Sequence, residues 1–108
     1  LAVAIGSAHG FYRQEPKLNL QLLSEIKAVV QTPLVLHGAS GIPDEMLVSA
    51  IKKGITKINL ATETKNAFMR RLKEELTRTD EIDLRIVFPK AIEKVQELIQ
   101  NKLKVIAN

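Results

Sequence analysis

The sequence has no cysteine, few aromatic residues and no long apolar run, and each shortage excludes a kind of protein. Without cysteine, neither a disulfide framework nor a thiolate metal site can form, so only His, Asp or Glu could bind a transition metal. No stretch approaches the roughly 20 consecutive apolar residues that a membrane helix needs. No charged-then-apolar leader precedes the first apolar run. We therefore expect no membrane partner and a cytoplasmic location.

The positive charge of the chain is small and evenly distributed. The formal net charge is +4 over 108 residues. Residues 1–62 hold six Lys and Arg against four Asp and Glu, and residues 63–108 hold ten against eight. A surface that binds nucleic acid concentrates basic charge and interleaves it with aromatic side chains, which make up only 4% of this sequence. We therefore expect no nucleic-acid partner.

Three short apolar runs are each followed by small or polar residues and then by an amphipathic pattern, which indicates a repeated strand, loop and helix. The runs cover residues 1–5, 34–36 and 58–60. Helices are predicted between an N-cap at Asn19 and the pair Thr32-Pro33, from Pro43 to Gly54, after a cap at Thr62, and from near Pro89 onward. This order is typical of an α/β protein.

Apolar strands that alternate with amphipathic helices favour parallel βα units with right-handed crossovers. An open doubly wound sheet and a closed TIM (β/α)8 barrel both fit this pattern. Three units cannot close a barrel, which needs eight strands, so in a barrel the missing strands would precede this chain. Leu1 opens directly into an apolar run, and we therefore expect residues 1–108 to be a fragment of one longer domain.

The only two histidines occupy equivalent places, each beyond the carboxyl end of an apolar run and each followed by glycine. They are His9, after residues 1–5, and His37, directly after residues 34–36. The carboxyl ends of parallel strands lie on one face, where ligands bind, so we expect the two rings to converge. They could bind one Zn²⁺ with a third ligand that this sequence lacks, or they could be ordinary histidines hydrogen-bonded to backbone.

A glycine-rich segment, Gly38-Ala39-Ser40-Gly41, follows the second run. Its amides, its hydroxyl and the start of the helix at Pro43 could bind a phosphate, or its glycines could serve only a tight turn. The segment is not the G-x-S-x-G motif of serine hydrolases, because residue 42 is isoleucine. Phosphate binding and a plain turn both stay open.

Two further polar residues lie near the predicted strand ends. Asn59, in the third run, could donate a hydrogen bond to a developing oxyanion, or it could be an ordinary polar residue. Arg13, in the loop after His9, could bind a phosphate or lie in solvent. Neither position decides between these alternatives by itself.

Several segments together resemble the class II fructose- and tagatose-bisphosphate aldolases, in the order and spacing of that family. They are LAVAIGSAHG at residues 1–10, LVLHGASG at residues 34–41 and KINLAT at residues 57–62, with Tyr12, Arg13, Pro16, Lys17, Leu18, Glu63, Asn66, Ala67 and Phe68 beside them. The resemblance covers nearly the whole chain. It implies a TIM (β/α)8 barrel, of which residues 1–108 form the last three βα units and the C-terminal helix.

The resemblance also implies roles for particular residues. His9 and His37 match two of the family's three zinc ligands, and Asn59 matches the asparagine that contacts the enediolate. Arg13 stands where lysine is frequent and is expected to contact phosphate. The remaining matches are to segments that bind dihydroxyacetone phosphate: Gly10, Gly38, Ala39, Ser40, Leu60, Ala61 and Thr62, together with Asn59. The third histidine and the catalytic aspartate have no counterpart here and are expected upstream.

The implied reaction is the reversible cleavage of fructose- or tagatose-1,6-bisphosphate to dihydroxyacetone phosphate and glyceraldehyde 3-phosphate, with Zn²⁺ as the cofactor. Residues 59–68 look closer to the tagatose branch. We expect a homo-oligomer, either a dimer or a tetramer, and leave the use of a monovalent cation open. Residues 1–108 alone are expected to show no turnover, because one metal ligand and the proton-transfer aspartate are missing.

Two other functions fit parts of the sequence. A noncatalytic phosphosugar-binding barrel or aldolase subunit would keep the fold and lose the reaction. A Schiff-base aldolase would need a lysine near the catalytic end of a strand, whereas Lys57 precedes Ile58 and is predicted at the opposite end of its strand. An upstream aspartate followed by histidine would favour the zinc enzyme over the binding protein.

Overall fold

The computed structural model describes residues 1–107, which divide into two compact units, residues 1–62 and residues 63–107. The first unit contains the strands and the shorter helices, and the second is helical. The elements are α1 (Leu20–Val29), β1 (Leu34–Leu36), α2 (Asp44–Lys52), β2 (Ile55–Ile58), α3 (Thr62–Arg78) and α4 (Leu84–Ile106).

Strands β1 and β2 are parallel neighbours joined by α2, which confirms the predicted βα arrangement. Leu34 pairs with Ile55 and Leu36 with Ile58, with one irregularity in register after Leu34. Strand β2 begins and ends earlier than the predicted run at residues 58–60, because Gly54, with φ of 113°, turns the chain out of α2 directly into β2. Lys57 therefore lies inside β2 and not at its start, so the predicted position of this lysine is wrong.

Residues 1–5 do not form the strand that was predicted for them. They meet β1 at a single parallel bridge between Ala2 and Val35, and Val35 N donates to Leu1 O at 2.9 Å. The carbonyl of Ile5 instead accepts from Asn19 N at 2.8 Å, which ties the end of this run to the start of α1 and takes it off the sheet. The predicted parallel direction is correct, and the predicted strand length is wrong.

The core of the first unit lies between the strands and helices α1 and α2. Its members are Ile5, Leu18, Leu23, Leu34, Leu36, Ala39, Ile42, Leu47, Ala50 and Ile55. Burying a leucine or isoleucine of this kind stabilises the fold by roughly 1.5–3 kcal/mol. Leu23, Leu47 and Ala50 are the buried residues of α1 and α2, whereas Val29, at the end of α1, is 82% exposed.

Of the three helix starts predicted up to residue 62, one agrees with its predicted cap and two are shifted by one position. The Asn19 side chain accepts from Leu22 N at 2.9 Å, so this predicted N-cap is confirmed. Pro43 is the N-cap of α2 and not its first helical residue, a shift of one position. Thr62 is the first residue of α3 and not the residue before it.

Helix α4 in the second unit begins at Leu84, five residues before the predicted start near Pro89. The Asp83 carboxylate accepts from Arg85 N at 2.9 Å and also pairs with the Arg85 guanidinium at 2.7 Å. This cap begins the helix early enough that Pro89 lies inside it. Within the same unit, the Phe68 and Phe88 rings meet edge to face with centroids 5.7 Å apart. Among residues 1–107, no helix is both long and apolar enough to span a membrane.

Candidate active site

Two imidazole rings meet beyond the carboxyl end of β1. His9 Nε2 and His37 Nδ1 lie 3.1 Å apart, with ring centroids 5.3 Å apart and planes tilted by 36°. His37 directly follows β1, and His9 comes from the loop after residues 1–5, which runs parallel to β1 at Ala2. Both side chains are exposed. The topology therefore brings one ring nitrogen of each histidine to the same accessible point.

The loops that carry the histidines approach each other too closely for a side chain at residue 38. A Cβ on Gly38, where φ is 64°, would lie 2.3 Å from Ala8 O and 2.5 Å from Ala8 C. Both of these are backbone atoms and cannot rotate away. Gly38 is thus required for a close approach as well as for its left-handed conformation.

Asn59 is the third side chain of the cluster. It follows β2, and its Nδ2 lies 2.8 Å from His37 Nε2. An amide NH₂ can only donate, so in this arrangement His37 Nε2 accepts and His37 Nδ1 carries the ring proton, which it donates to His9 Nε2. A half-turn of the amide would place Oδ1 against Nε2, move the ring proton to Nε2 and leave Nδ1 with a free lone pair. The orientation of the Asn59 amide therefore decides which nitrogen of His37 can bind a metal.

The two rings fit two corners of a zinc site. Two nitrogen ligands on a tetrahedral Zn²⁺ are separated by roughly 3.3 Å, given Zn–N distances near 2.0–2.1 Å. The separation of 3.1 Å between His9 Nε2 and His37 Nδ1 is close to this value. Within residues 1–107, no three His, Asp or Glu side chains are placed so that they could hold a metal ion together. These residues can supply two ligands, and the others would have to come from elsewhere.

The glycine-rich segment follows His37 directly, and two of its four residues are too deeply buried to contact a phosphate as the segment stands. Ala39 is fully buried, and Ser40 is 3% exposed. Ala39 N donates to Asn59 O at 3.3 Å, so this amide already has a partner. Helix α2, which follows, carries Asp44 and Glu45 in its first turn, and these carboxylates already balance its positive end. Only Gly38, which is partly buried, and Gly41, which is exposed, reach the surface in this segment.

The other predicted substrate residues surround the same face to different extents. Leu60 and Thr62 are partly buried and Ala61 is exposed, all directly after Asn59. Gly10 has φ of 91°, and a Cβ there would meet no atom within 4 Å, so open space lies beside it. Arg13 is exposed in the loop after His9, and no contact described for residues 1–107 joins it to the histidines.

Tyr12 is a residue of the site for which the sequence analysis predicted no role. Its hydroxyl accepts from Ala8 N at 2.8 Å and donates to Gly38 O at 2.8 Å. The signal that could have indicated it is the presence of the chain's only tyrosine three residues after His9. A hydroxyl on a rigid ring can reach across a gap between loops, whereas phenylalanine cannot bond there.

The whole chain matches one protein family, and several solved structures share its fold. The sequence profile of the family Fructose-bisphosphate aldolase class-II matches residues 1–108. The YdjI aldolase from Escherichia coli K12 is 39% identical, with a TM-score of 0.80 over 97% of this chain. A putative fructose-1,6-biphosphate aldolase from Coccidioides immitis is 23% identical, with a TM-score of 0.88 over 98%. The fructose-bisphosphate aldolase from Campylobacter jejuni is 20% identical, with a TM-score of 0.75 over 98%.

The chain is much shorter than these proteins. It covers 37% of the Escherichia coli structure, 37% of the Coccidioides immitis structure and 39% of the Campylobacter jejuni structure. For the two structures below 25% identity, the likeness shows a shared fold and nothing more. The α/β arrangement of residues 1–107 therefore corresponds to part of a larger TIM-barrel architecture.

Proposed function

Because the chain belongs to the class II fructose-bisphosphate aldolase family, we propose that residues 1–108 are the C-terminal part of a zinc-dependent ketose-bisphosphate aldolase. They would form the last three βα units and the C-terminal helix of one TIM (β/α)8 barrel domain, with the other strands upstream. The parallel pairing of β1 and β2 through α2 supports this assignment. So does the fraction of each solved structure that the chain covers, 37–39%.

The observation that carries the proposal is the 3.1 Å separation of His9 Nε2 and His37 Nδ1. Two imidazoles from neighbouring chain segments at this distance can hold one Zn²⁺, with a third histidine from the upstream part of the barrel. When bound there, zinc acts as a Lewis acid that stabilises negative charge on the ketone oxygen of the substrate. The proposed reaction is the reversible cleavage of fructose- or tagatose-1,6-bisphosphate into dihydroxyacetone phosphate and glyceraldehyde 3-phosphate.

Asn59 is proposed to act on both the metal ligand and the substrate. With its Oδ1 turned toward His37 Nε2, the amide accepts a hydrogen bond from Nε2–H and leaves His37 Nδ1 free to bind zinc. The same half-turn directs the NH₂ group away from the ring, where it can donate to the oxygen that becomes negative during carbon–carbon cleavage. The observed Nδ2 to Nε2 distance of 2.8 Å shows that the amide is already within reach.

The substrate phosphate is proposed to lie along the exposed edge of this face. Backbone amides of residues 60–62 and of the glycine-rich segment would orient it, although the Ala39 amide would first have to leave Asn59 O. Arg13, which is exposed, would add a positive charge. The open space beside Gly10 leaves room for the ligand. Ser40 is 3% exposed, so its proposed contact needs a local opening of the segment when the ligand binds.

Several finer features belong to the same proposal. Tagatose bisphosphate is favoured over fructose bisphosphate because residues 59–68 resemble that branch. The complete enzyme is proposed to be a cytoplasmic homo-oligomer, either a dimer or a tetramer. A proton-transfer aspartate upstream completes the mechanism, so residues 1–108 alone are expected to be inactive.

The test is an activity assay on the full-length protein that contains these residues, with both sugar bisphosphates and with zinc quantified in the purified protein. We expect turnover that chelators abolish and that added zinc restores. His37→Ala should lose both bound zinc and turnover, whereas Lys57→Ala should keep both. Turnover that survives chelation, or a substrate adduct trapped by borohydride, would contradict the zinc mechanism. Tight sugar-phosphate binding without turnover would instead support the noncatalytic barrel.

A further inference from the structure

We infer that Tyr12 is a positioning residue whose hydroxyl clamps together the two loops that carry His9 and His37. The identity of the bound ion rests on the proposed function, but the clamp itself rests on contacts in the structure. Within residues 1–107, the Tyr12 hydroxyl bonds to Ala8 N and Gly38 O and to neither histidine ring. Its effect on the positions of the rings must therefore pass through the backbone. The 3.1 Å spacing of His9 Nε2 and His37 Nδ1 therefore depends on the Tyr12 hydroxyl.

The geometry of the hydroxyl shows how the clamp works. It accepts from Ala8 N at 2.8 Å and donates to Gly38 O at 2.8 Å, so both of its hydrogen-bonding directions are used. Ala8 is the residue directly before His9, and Gly38 is the residue directly after His37. One oxygen atom thus fixes the backbone next to each histidine, across 26 residues of sequence between Tyr12 and Gly38.

The ring that carries this hydroxyl is itself held in place. Tyr12 is partly buried and packs against the hydrophobic core of the first unit. Its Cδ2 lies close enough to Gly41 that a Cβ there would be 3.4 Å away. A ring anchored at its base and bonded at its tip has little rotational freedom, so it can transmit a fixed spacing to both loops.

The sheet cannot provide this spacing by itself. The bridge between residues 1–5 and β1 lies at Ala2 and Val35, seven residues before His9. After that bridge Ile5 O bonds to Asn19 N, and the loop leaves the ladder. A metal site needs its ligand nitrogens fixed within a few tenths of an ångström, and loss of a supporting group commonly weakens metal binding by roughly 10–100-fold.

The test compares Tyr12→Phe with Thr56→Val in the full-length protein. The first variant keeps the ring and removes both bonds. The second removes one hydroxyl bond to a backbone carbonyl, from Thr56 Oγ1 to Leu34 O at 3.1 Å, at the other end of the strands. Zinc affinity is measured by competition with a chromophoric chelator. The geometry of the metal site is followed by the visible absorption of the Co²⁺-substituted protein, and the protection of the Ala8 amide by hydrogen exchange.

For Tyr12→Phe we expect zinc to bind at least about tenfold more weakly, the Co²⁺ spectrum to change, and the Ala8 amide to exchange faster. Thr56→Val should leave all three unchanged. Equal zinc affinity and equal Ala8 protection in Tyr12→Phe and wild type would overturn the inference, as would the same losses in both variants. If the wild-type protein takes up no zinc, the proposed function fails, and Ala8 exchange in the metal-free protein still decides whether the clamp exists.

Discussion

Replacement of Gly38 by alanine is the most direct way to perturb the approach of the two histidine loops. The new Cβ would lie 2.3 Å from Ala8 O and 2.5 Å from Ala8 C, so one of the two backbones must move. A non-glycine residue in the left-handed region costs about 1–2 kcal/mol, and overpacking costs a further ~1–3 kcal/mol. We therefore expect Gly38→Ala to destabilise the metal-free full-length protein by roughly 2–5 kcal/mol.

Gly10→Ala is the matched control for this change. Gly10 also has positive φ, at 91°, but its Cβ would meet no atom within 4 Å. Gly10→Ala should therefore lower the free energy of unfolding only by the cost of a left-handed backbone, about 1–2 kcal/mol. The difference between the two variants isolates the contact with Ala8.

Urea unfolding of the metal-free proteins and zinc competition with a chelator measure the two consequences. Gly38→Ala should unfold at lower urea than Gly10→Ala, and it should bind zinc at least about tenfold more weakly, because the histidine loops are forced apart. Gly10→Ala should bind zinc as the wild type does. Equal stability and equal zinc affinity in the two variants would refute the argument that the loops are in contact.

Three further changes test other parts of the structure. Asn59→Asp should keep bound zinc but lower kcat by about 10²–10³-fold, because it retains the acceptor for the His37 ring and loses the NH₂ donor. Asn59→Ala should lose zinc affinity as well, so equal effects of the two variants on zinc would contradict the role given to the amide. The hydrogen bonds from Arg85 hold the pKa of the Asp83 carboxyl below its usual value. The stabilisation of the start of α4 should therefore be present above the unfolded-state pKa and be lost as pH falls through the lower folded-state pKa. Asp83→Asn should remove this contribution to the pH dependence of urea unfolding. Leu36→Ala, in the core, should cost about 2–5 kcal/mol, and Val29→Ala, where the side chain is 82% exposed, should change the midpoint little.

Local sequence signals predicted the first unit well where one short-range interaction decides the structure. Asn19 indicated the start of α1 because its side chain bonds to an amide only three residues away. The parallel direction of the sheet followed from the alternation of apolar runs and helices. The convergence of His9 and His37 was predicted from their positions after strand ends, and the two ring nitrogens lie 3.1 Å apart.

The errors occurred where longer-range contacts or competing caps decide the structure. Residues 1–5 are apolar enough for a strand, but the bond from Asn19 N to Ile5 O takes their end off the sheet. Pro89 suggested a helix start because proline suits a first turn, yet the cap at Asp83 starts α4 earlier. The position of Tyr12 near His9 is visible in the sequence, but its link to Gly38, 26 residues away, is made only by the fold.

The proposed function requires His9 and His37 to bind one zinc ion together. Anomalous diffraction at the zinc absorption edge, from crystals of the full-length protein, locates that ion. We expect a single strong peak within bonding distance, about 2.0–2.1 Å, of both His9 Nε2 and His37 Nδ1. A zinc-loaded, active protein whose anomalous peak lies away from either nitrogen would contradict it.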